Sequence, residues 1–373
     1  MSDAGGAKKR VLFMVDKSGF GGIQTIAYTL MNHEVSDDVE LYYYFLRNIN
    51  DRFGMKDIER DNVFYSSSSG RYGLVPFMEL ARLVRRHHID ILHANGNKSV
   101  IFAALLKKLV FPDLKVCAHE HGGVFDYTRW YALFVRLFSN SIDIFVSLSN
   151  YRKDFLVSRC RVAASKVRVL YNFVDPARIG AAARAPGGKS RRGSREDSPF
   201  VIGYLGGLSR IKGCDVLLHA IPILKRRMNN FRVIIAGDGP ARAELEELAA
   251  KLDLTENVVF AGYVREPAAV YAEFDVMVIP SRSEAGPMCL YEAWTMGLPV
   301  IASNAPVLNE IIRDGVTGIL FESQNPEDLA EKILTAYRDT GLVEKLRTES
   351  SRKVANHSIG NYLAQLRNLY SSL

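Results

Sequence analysis

Short apolar runs recur through the first half of the chain. They lie at 10–16 (RVLFMVD), 89–94 (IDILHA), 115–121 (KVCAHEH), 142–149 (IDIFVSLS) and 166–172 (KVRVLYN). Runs this short, bounded by polar or glycine-rich residues, predict buried strands. Between several of them the apolar positions return at helical spacing, as in PFMELARLVRRHH (76–88) and VIFAALLKKLV (100–110). The first run passes through a glycine-rich loop, KSGFGGIQT, into the helix-like IAYTLMN. Strands that alternate with helices predict an α/β domain with a parallel, doubly wound sheet.

The pattern then breaks. Residues 181–199 (AAARAPGGKSRRGSREDSP) hold no β-branched or aromatic residue and read as a linker or mobile loop. A second series follows: FVIGYLGGLS (200–209), FRVIIAGDGP (231–240), NVVFAGYV (257–264), FDVMVIPSRSE (274–284) and LPVIASN (298–304). Helical stretches, CDVLLHAIPILKRRM and ARAELEELAAKLDL, stand between its members. The expected organisation is a first Rossmann-like domain over 1–180, the linker, a second Rossmann-like domain over 200–355, and a helix over 356–373 that packs back on the first domain. No repeat with a solenoid period is visible. Two open sheets of this kind place a ligand in the crevice they face, at the carboxyl ends of the strands.

Composition changes this picture little. The 373 residues are 48% apolar and 24% charged, enough for two ordinary cores. The net charge of +7 favours acidic partners: phosphorylated ligands, an anionic membrane surface or nucleic acid. Cys117, Cys160, Cys214 and Cys289 share no close spacing, which suggests neither a zinc site nor a redox pair. The N-terminal apolar run is too short for a secretion signal, and the longest run, VIFAALL (100–106), is too short to span a bilayer. The expected location is the cytoplasm, with peripheral contact to the inner face of the membrane.

The densest candidate chemistry lies in SRSEAGPMCLYEAWTMGLP (281–299). Pro287 suits the first turn of a helix that stops at Gly297, before Pro299. The free N–H groups near Pro287, Met288 and Cys289, with the positive end of the helix dipole behind them, form a site for a phosphate. Glu284 lies just outside that helix and Glu292 about one turn inside, so the two acids could reach sugar hydroxyls on either side of it. The alternative is a pair of solvated surface glutamates.

A second candidate is GYLGGLSRIKGCDVLL (203–218), where Gly206 and Gly207 end a strand and Arg210 and Lys212 follow. A glycine turn with two cations suits a diphosphate, whose developing charge as a leaving group the cations would stabilise. It reads equally as an exposed basic loop. SGFGGIQT (18–25) places small residues, Gly22 among them, where a phosphate or another backbone must come close. AHEHGG (118–123) puts His119 at a strand end, where a satisfied structural histidine is also common. No cluster has convincing metal-ligand spacing, and AGDGPAR (236–242) fails the dinucleotide fingerprint at Arg242.

These residues resemble a known family. The two glutamates at 284 and 292, eight apart, are similar to the signature of retaining GT-B glycosyltransferases of family 4. So are VRVLYNFVDPARI (167–179), IIAGDGPARAELEELAAKLDLTENVVFAGYV (234–264), LPVIASNAPVLNEIIRDGVTGILFE (298–322) and GFGGIQT, in the family's order. The resemblance is specific over about 200–340 and looser over 10–180. It implies that Glu292 holds the ribose hydroxyls of a nucleoside diphosphate sugar and that Glu284 contacts the donor sugar. It implies backbone contact with phosphates or sugar around Pro287, Met288 and Cys289, and Lys212 on the diphosphate. Gly22 would let the first domain approach the donor, and His119 would sit by the sugar near the acceptor. Two positions depart from the family. Its usual arginine is replaced by Gly207, with Arg210 three residues on as a substitute, and its asparagine–glycine pair is Asn172–Phe173.

The implied activity is retaining, metal-independent transfer of a sugar to a saccharide or lipid-linked saccharide in surface glycan synthesis, with no cofactor beyond the donor substrate. Basic helical stretches at 81–88 and 105–111 suit anionic lipid, which favours a polyprenyl-linked acceptor, or else form solvated helix faces. A nucleotide-sugar 2-epimerase of similar fold and a non-catalytic sugar-binding protein are the competing readings. A nicotinamide oxidoreductase lacks its glycine fingerprint, and a nucleic-acid binder lacks a motif.

Overall fold

The alternation of buried strands and amphipathic helices is realised as two units, one built from residues 1–171 and 360–373 and the other from 172–359. The computed structural model describes residues 8–19, 21–48, 58–68, 73–121, 129–179 and 198–373. The linker expected over 181–199 lies outside the described residues except for Ser198 and Pro199. Residues 172–179 group with the second unit, ahead of a domain limit at 180. The reason is local bonding: the Val174 N–H donates to His357 O at 2.8 Å and the Ile359 N–H to Val174 O at 3.1 Å.

The first unit runs β1 (Lys9–Val15), α1 (Gly22–Leu30), β2 (Val39–Phe45), β3 (Val63–Tyr65), α2 (Leu74–Arg86), β4 (Ile91–Asn95), α3 (Asn97–Leu109), β5 (Lys115–Glu120), α4 (Arg129–Phe138), β6 (Ile144–Ser147), α5 (Asn150–Ser158) and β7 (Val167–Val169). Its seven parallel strands lie in the order β3-β2-β1-β4-β5-β6-β7. Leu12, Met14, Leu92, Ala94, Val116 and Phe145 project from one face of this sheet into a core closed by residues of α2 to α5. A strand points alternate residues to opposite faces, so Phe13 and His93 face the other way, where their rings meet at 4.9 Å.

The second unit starts with the short α6 (Pro176–Ile179) and continues β8 (Phe200–Leu205), α7 (Cys214–Lys225), β9 (Phe231–Ala236), α8 (Arg242–Lys251), β10 (Val258–Gly262), α9 (Pro267–Glu273), β11 (Val276–Ile279), α10 (Met288–Thr295), β12 (Val300–Ser303), α11 (Pro306–Ile311), β13 (Ile319–Phe321), α12 (Pro326–Arg338) and α13 (Thr340–Val354). The last helix, α14 (Ile359–Ser371), falls from Gly360 onward in the first unit. Six parallel strands lie in the order β10-β9-β8-β11-β12-β13. Both sheets reverse their winding beside the first strand of the unit, at β1/β4 and at β8/β11. In an open α/β sheet that reversal splays the loops apart at the strand ends and makes the ligand crevice.

Nine of the ten large apolar side chains exposed among the described residues belong to the first unit. They include Leu74, Val75 and Met78 on α2, Leu109 at the end of α3, and Trp130, Leu133 and Leu137 on α4. The three helices are neighbours: Phe77 meets Phe102 edge-on, and Lys108 lies over the Phe138 ring. Together they carry eight Lys or Arg and one Glu, an excess equal to the net +7 of the whole chain. No helix among the described residues is long and apolar enough to cross a membrane.

Candidate functional site

In the second unit, the loops that follow β8 and β11 converge at the reversal point. After β8 the chain passes Gly206 and Gly207, makes a 3-10 turn over Arg210–Lys212 and enters α7 through Gly213. Gly213 has φ +67°, and a Cβ there would stand 2.0 Å from the Pro280 carbonyl oxygen at the end of β11. Glycine therefore does two things here: it takes the left-handed conformation without steric cost, and it lets the two loops touch. Gly237 after β9 serves the same close packing, since its Cβ would lie 1.9 Å from the Gly206 carbonyl oxygen.

This contact delivers Lys212 to Glu284. The ammonium donates to both carboxylate oxygens, at 2.7 and 2.8 Å. Ser281 Oγ donates to the same carboxylate at 2.7 Å. Glu284 is nearly buried, with 5% of its side chain exposed, whereas Lys212 keeps 32%. Burial alone would lower the Lys212 pKa, but the adjacent Glu284 charge outweighs it and holds the amine above its ordinary value. The ammonium is thus charged at neutral pH.

The loop is braced from behind. Arg282 makes a two-pronged pair with Asp215, at 2.8 and 2.6 Å, and its guanidinium also donates to Arg210 O at 2.6 Å. The Arg282 N–H donates to Ile211 O at 2.8 Å. The planar guanidinium fork suits this double role, which a lysine could not fill.

The eight-residue helix α10 begins at Met288, with Pro287 at its cap position and no side chain capping it. Its first turn carries no acid, so the positive end of its dipole is not neutralised locally. Glu292 is buried one turn in and accepts from Tyr271 OH at 2.8 Å. Burial, with Glu284 next, pushes the Cys289 thiol up to about 12, so it is protonated at neutral pH and is no nucleophile. Asn172 Nδ2 donates to Gly286 O at 2.6 Å and steadies the approach to the helix.

The expected residues thus divide. Lys212, Glu284, Pro287, Met288, Cys289 and Glu292 come from the two loops and the helix at the β8/β11 reversal. Arg210 turns outward: its side chain is 84% exposed and pairs with Glu244 on α8 at 3.2 Å. Gly207, where the family arginine would stand, has no atom within 4 Å of a built Cβ. The residues that sequence reasoning missed are Ser281, Tyr271, Asp215 and Arg282. Ser281 stands three positions before Glu284 and was within reach of a motif reading, whereas Tyr271 lies 21 residues from Glu292 and gave no signal.

In the first unit, Gly22 is the first residue of α1, and the left-handed demands fall on Gly19 (φ +99°) and Gly21 (φ +149°) beside it. His119 is wholly buried at the end of β5. Its Nδ1 lies 3.0 Å from His93 Nε2, and its ring centre is 4.1 Å from that of His121. Burial, then the neighbouring imidazoles, holds His119 well below the usual histidine range. Gly122 and Gly123, which complete AHEHGG, lie outside the described residues. No group of three His, Cys, Asp or Glu able to hold a metal ion occurs among the described residues.

Comparison with known proteins agrees with this construction. Residues 189–353 match the family model of group 1 glycosyl transferases, and residues 20–178 match that of Glycosyltransferase Family 4. An uncharacterised glycosyltransferase of Methanocaldococcus jannaschii is 30% identical over 60% of this chain and 59% of its own length. The match therefore spans about three fifths of that relative. The putative glycosyltransferase EpsF of Bacillus subtilis is 26% identical over 80% of each chain. Among solved structures, Anabaena HepE in complex with UDP and glucose superposes with a TM-score of 0.77 at 20% identity, covering 97% of this chain and 99% of that one. The fold is GT-B, two parallel-sheet α/β domains. The chain belongs to the group 1 glycosyltransferases.

Proposed function

We propose that the protein transfers a sugar, with retention at C1 and without a metal ion, from a nucleoside diphosphate sugar to a saccharide acceptor in surface glycan synthesis. The observation that carries this reading is the Lys212–Glu284 pair beside the uncapped start of α10. A diphosphate against the α10 amides would draw the Lys212 ammonium, and these donors would supply the charge stabilisation that a divalent cation supplies elsewhere. Glu284, released from Lys212, would accept from a donor-sugar hydroxyl, and Glu292 from the ribose. Anabaena HepE, which shares the fold, was crystallised with UDP-glucose.

The step we favour runs on one face of the sugar. The bond from C1 to the diphosphate oxygen breaks, a bond from C1 to the acceptor oxygen forms on the same side, and the acceptor's proton passes to the departing phosphate oxygen. The negative charge that develops on the departing oxygen is offset by the Lys212 ammonium. No cofactor is required beyond the donor substrate. A thermal-shift panel of UDP-, GDP- and ADP-sugars tests the reading: a true donor at a hundred times its Kd adds about 2.7 kcal/mol through linkage and raises the melting temperature. A chain that no nucleotide sugar stabilises would end it.

Gly207 allows a second check. Gly207→Arg meets open space and an ordinary φ, so the fold should accept it. A cation three residues before Arg210 would face a bound diphosphate, where Arg210 itself is spent on Glu244. We expect the donor KM to fall about tenfold, the gain of one charge-assisted hydrogen bond less its ordering cost. An unchanged or higher KM would show that the diphosphate does not lie over this turn.

We further propose a lipid-linked acceptor, met at an anionic membrane surface by α2, the end of α3 and α4. Exposed leucines, Met78 and Trp130 set among basic residues fit the boundary between acyl chains and charged headgroups. Co-sedimentation should rise steeply with the phosphatidylglycerol fraction of vesicles and fall when Trp130, Leu133 and Leu137 are all changed to Ser. Binding that ignores lipid charge would remove this partner.

A further inference from the structure

Ser281 and Ser303 stand at the carboxyl ends of two paired strands of the second unit. Ser281 follows Pro280 at the end of β11, Ser303 closes β12, and the pairing that sets Ile279 beside Ala302 brings them together. Both are buried, with 1% and 0% of their surface exposed. Ser303 Oγ donates to the Ser281 carbonyl oxygen, and Ser281 Oγ donates to Glu284 Oε1 at 2.7 Å. A hydroxyl has one hydrogen to give, while a carbonyl and a carboxylate only accept, so the direction of both bonds is fixed.

The two oxygens of Glu284 are therefore held unequally. Oε1 accepts from Ser281 and from Lys212, each at 2.7 Å, and Oε2 accepts from Lys212 at 2.8 Å. The two donors also differ in freedom. Lys212 keeps 32% of its side chain exposed and has a flexible four-carbon stem. Ser281 has a single carbon between its hydroxyl and a backbone fixed on both sides: Ser303 holds its carbonyl, and the next N–H, that of Arg282, donates to Ile211 O at 2.8 Å. A phosphate that competes for donors at this place draws the lysine and leaves the serine.

We propose that Ser281 is a positioning residue for donor binding: when a diphosphate draws Lys212 away, Ser281 retains Glu284 Oε1 and leaves Oε2 as the oxygen that meets the donor. This deepens the sugar-transfer reading and rests on it for the ligand; the unequal hold on the carboxylate rests on the hydrogen bonds. Without Ser281, a carboxylate only 5% exposed would have neither cation nor hydroxyl against it as the donor arrives. A buried charge stripped in that way is costly, so the complex would weaken or Glu284 would follow the lysine.

A double-mutant cycle on the full chain tests this. Calorimetry gives the Kd of UDP-, GDP- and ADP-glucose for wild type, Ser281→Ala, Glu284→Ala and the double variant. Ser281→Ala removes one oxygen atom and should fold, melting about 2–4 °C lower, the worth of one ordinary hydrogen bond in a unit of this size. It should raise the donor Kd about ten- to a hundredfold in the native background, the range of one hydrogen bond to a charged group. In the Glu284→Ala background, where Lys212 and the α10 amides still meet the diphosphate, the same change should cost less than about twofold. Ser281→Thr keeps the hydroxyl and should bind within about threefold of wild type, well short of the alanine loss. Equal losses from Ser281→Ala in the two backgrounds would show that the serine merely shapes the loop, and overturn the proposal. If the threonine methyl does not fit, the cycle decides. Melting temperatures of the same four proteins without ligand keep two failures apart: coupling of Ser281 to Glu284 there, in a chain that binds no nucleotide sugar, supports the hydrogen bond and overturns its ligand.

Discussion

Lys212→Met should lower kcat about a thousandfold while leaving the second unit folded. The magnitude follows from its place: it is the cation held against Glu284 and the start of α10, and loss of one preorganised donor to a developing oxyanion costs about a hundred to a thousandfold. The upper end applies because the group lost carries a full charge. The variant also leaves Glu284 nearly buried, with Ser281 still donating to its carboxylate. Breaking a buried pair costs about 3–5 kcal/mol, but a third of Lys212 is exposed, so solvent screening reduces the expected loss to about 1–2 kcal/mol. A second variant separates stability from chemistry. Lys212→Met with Glu284→Gln removes the stranded charge and should regain most of the melting temperature without regaining turnover. If single and double variants both retain kcat within tenfold, the charge that leaves with the diphosphate is stabilised elsewhere, and this site is misassigned.

How much of this was legible in the chain depends on distance along it. The strands at 10–16, 89–94, 115–121, 200–205, 231–236 and 276–279 announce themselves because both of their faces are buried, so each is a bare apolar run. β2 escaped because its sequence, VELYYYF, is rich in tyrosine, a residue as common at surfaces as in cores, although Tyr43 and Tyr44 are each only 1% exposed. β3 and β13 are three residues long, too short to show a period. Within the site, Glu284 and Glu292 could be placed on the loop and helix of one motif. Their partners could not: Lys212 meets Glu284 across 72 positions, and Tyr271 meets Glu292 across 21. Arg210 shows the opposite failure. It is two residues from Lys212, yet a 3-10 turn points neighbouring side chains about a third of a circle apart, and it turns to Glu244. Proximity in sequence predicted a cationic pair; the turn geometry divides it.

Gly213→Ala should be severely damaging for a change that adds a single carbon atom. The residue sits at φ +67°, where an L side chain costs about 1–2 kcal/mol. The new methyl would also lie 2.0 Å from a backbone oxygen, that of Pro280, which has no rotamer by which to move aside. We expect a loss of about 3 kcal/mol or more, read as a fall in melting temperature of roughly 6–12 °C for a unit of this size. Activity should fall further than stability explains. To relieve the contact, the loop after β8 must withdraw from β11, and Lys212 withdraws with it; a displacement of about 1 Å in a positioned group can cost a hundredfold in rate. Gly207→Ala, six residues earlier, is the internal control, because its Cβ meets nothing within 4 Å. It should melt with wild type and turn over within about twofold of it, since an exposed substitution away from strain shifts stability by no more than about 0.5 kcal/mol. Equal behaviour of the two alanine variants would mean that the loop contact does not set where Lys212 stands. A large gap between them would place the control of the site in one glycine that touches no substrate.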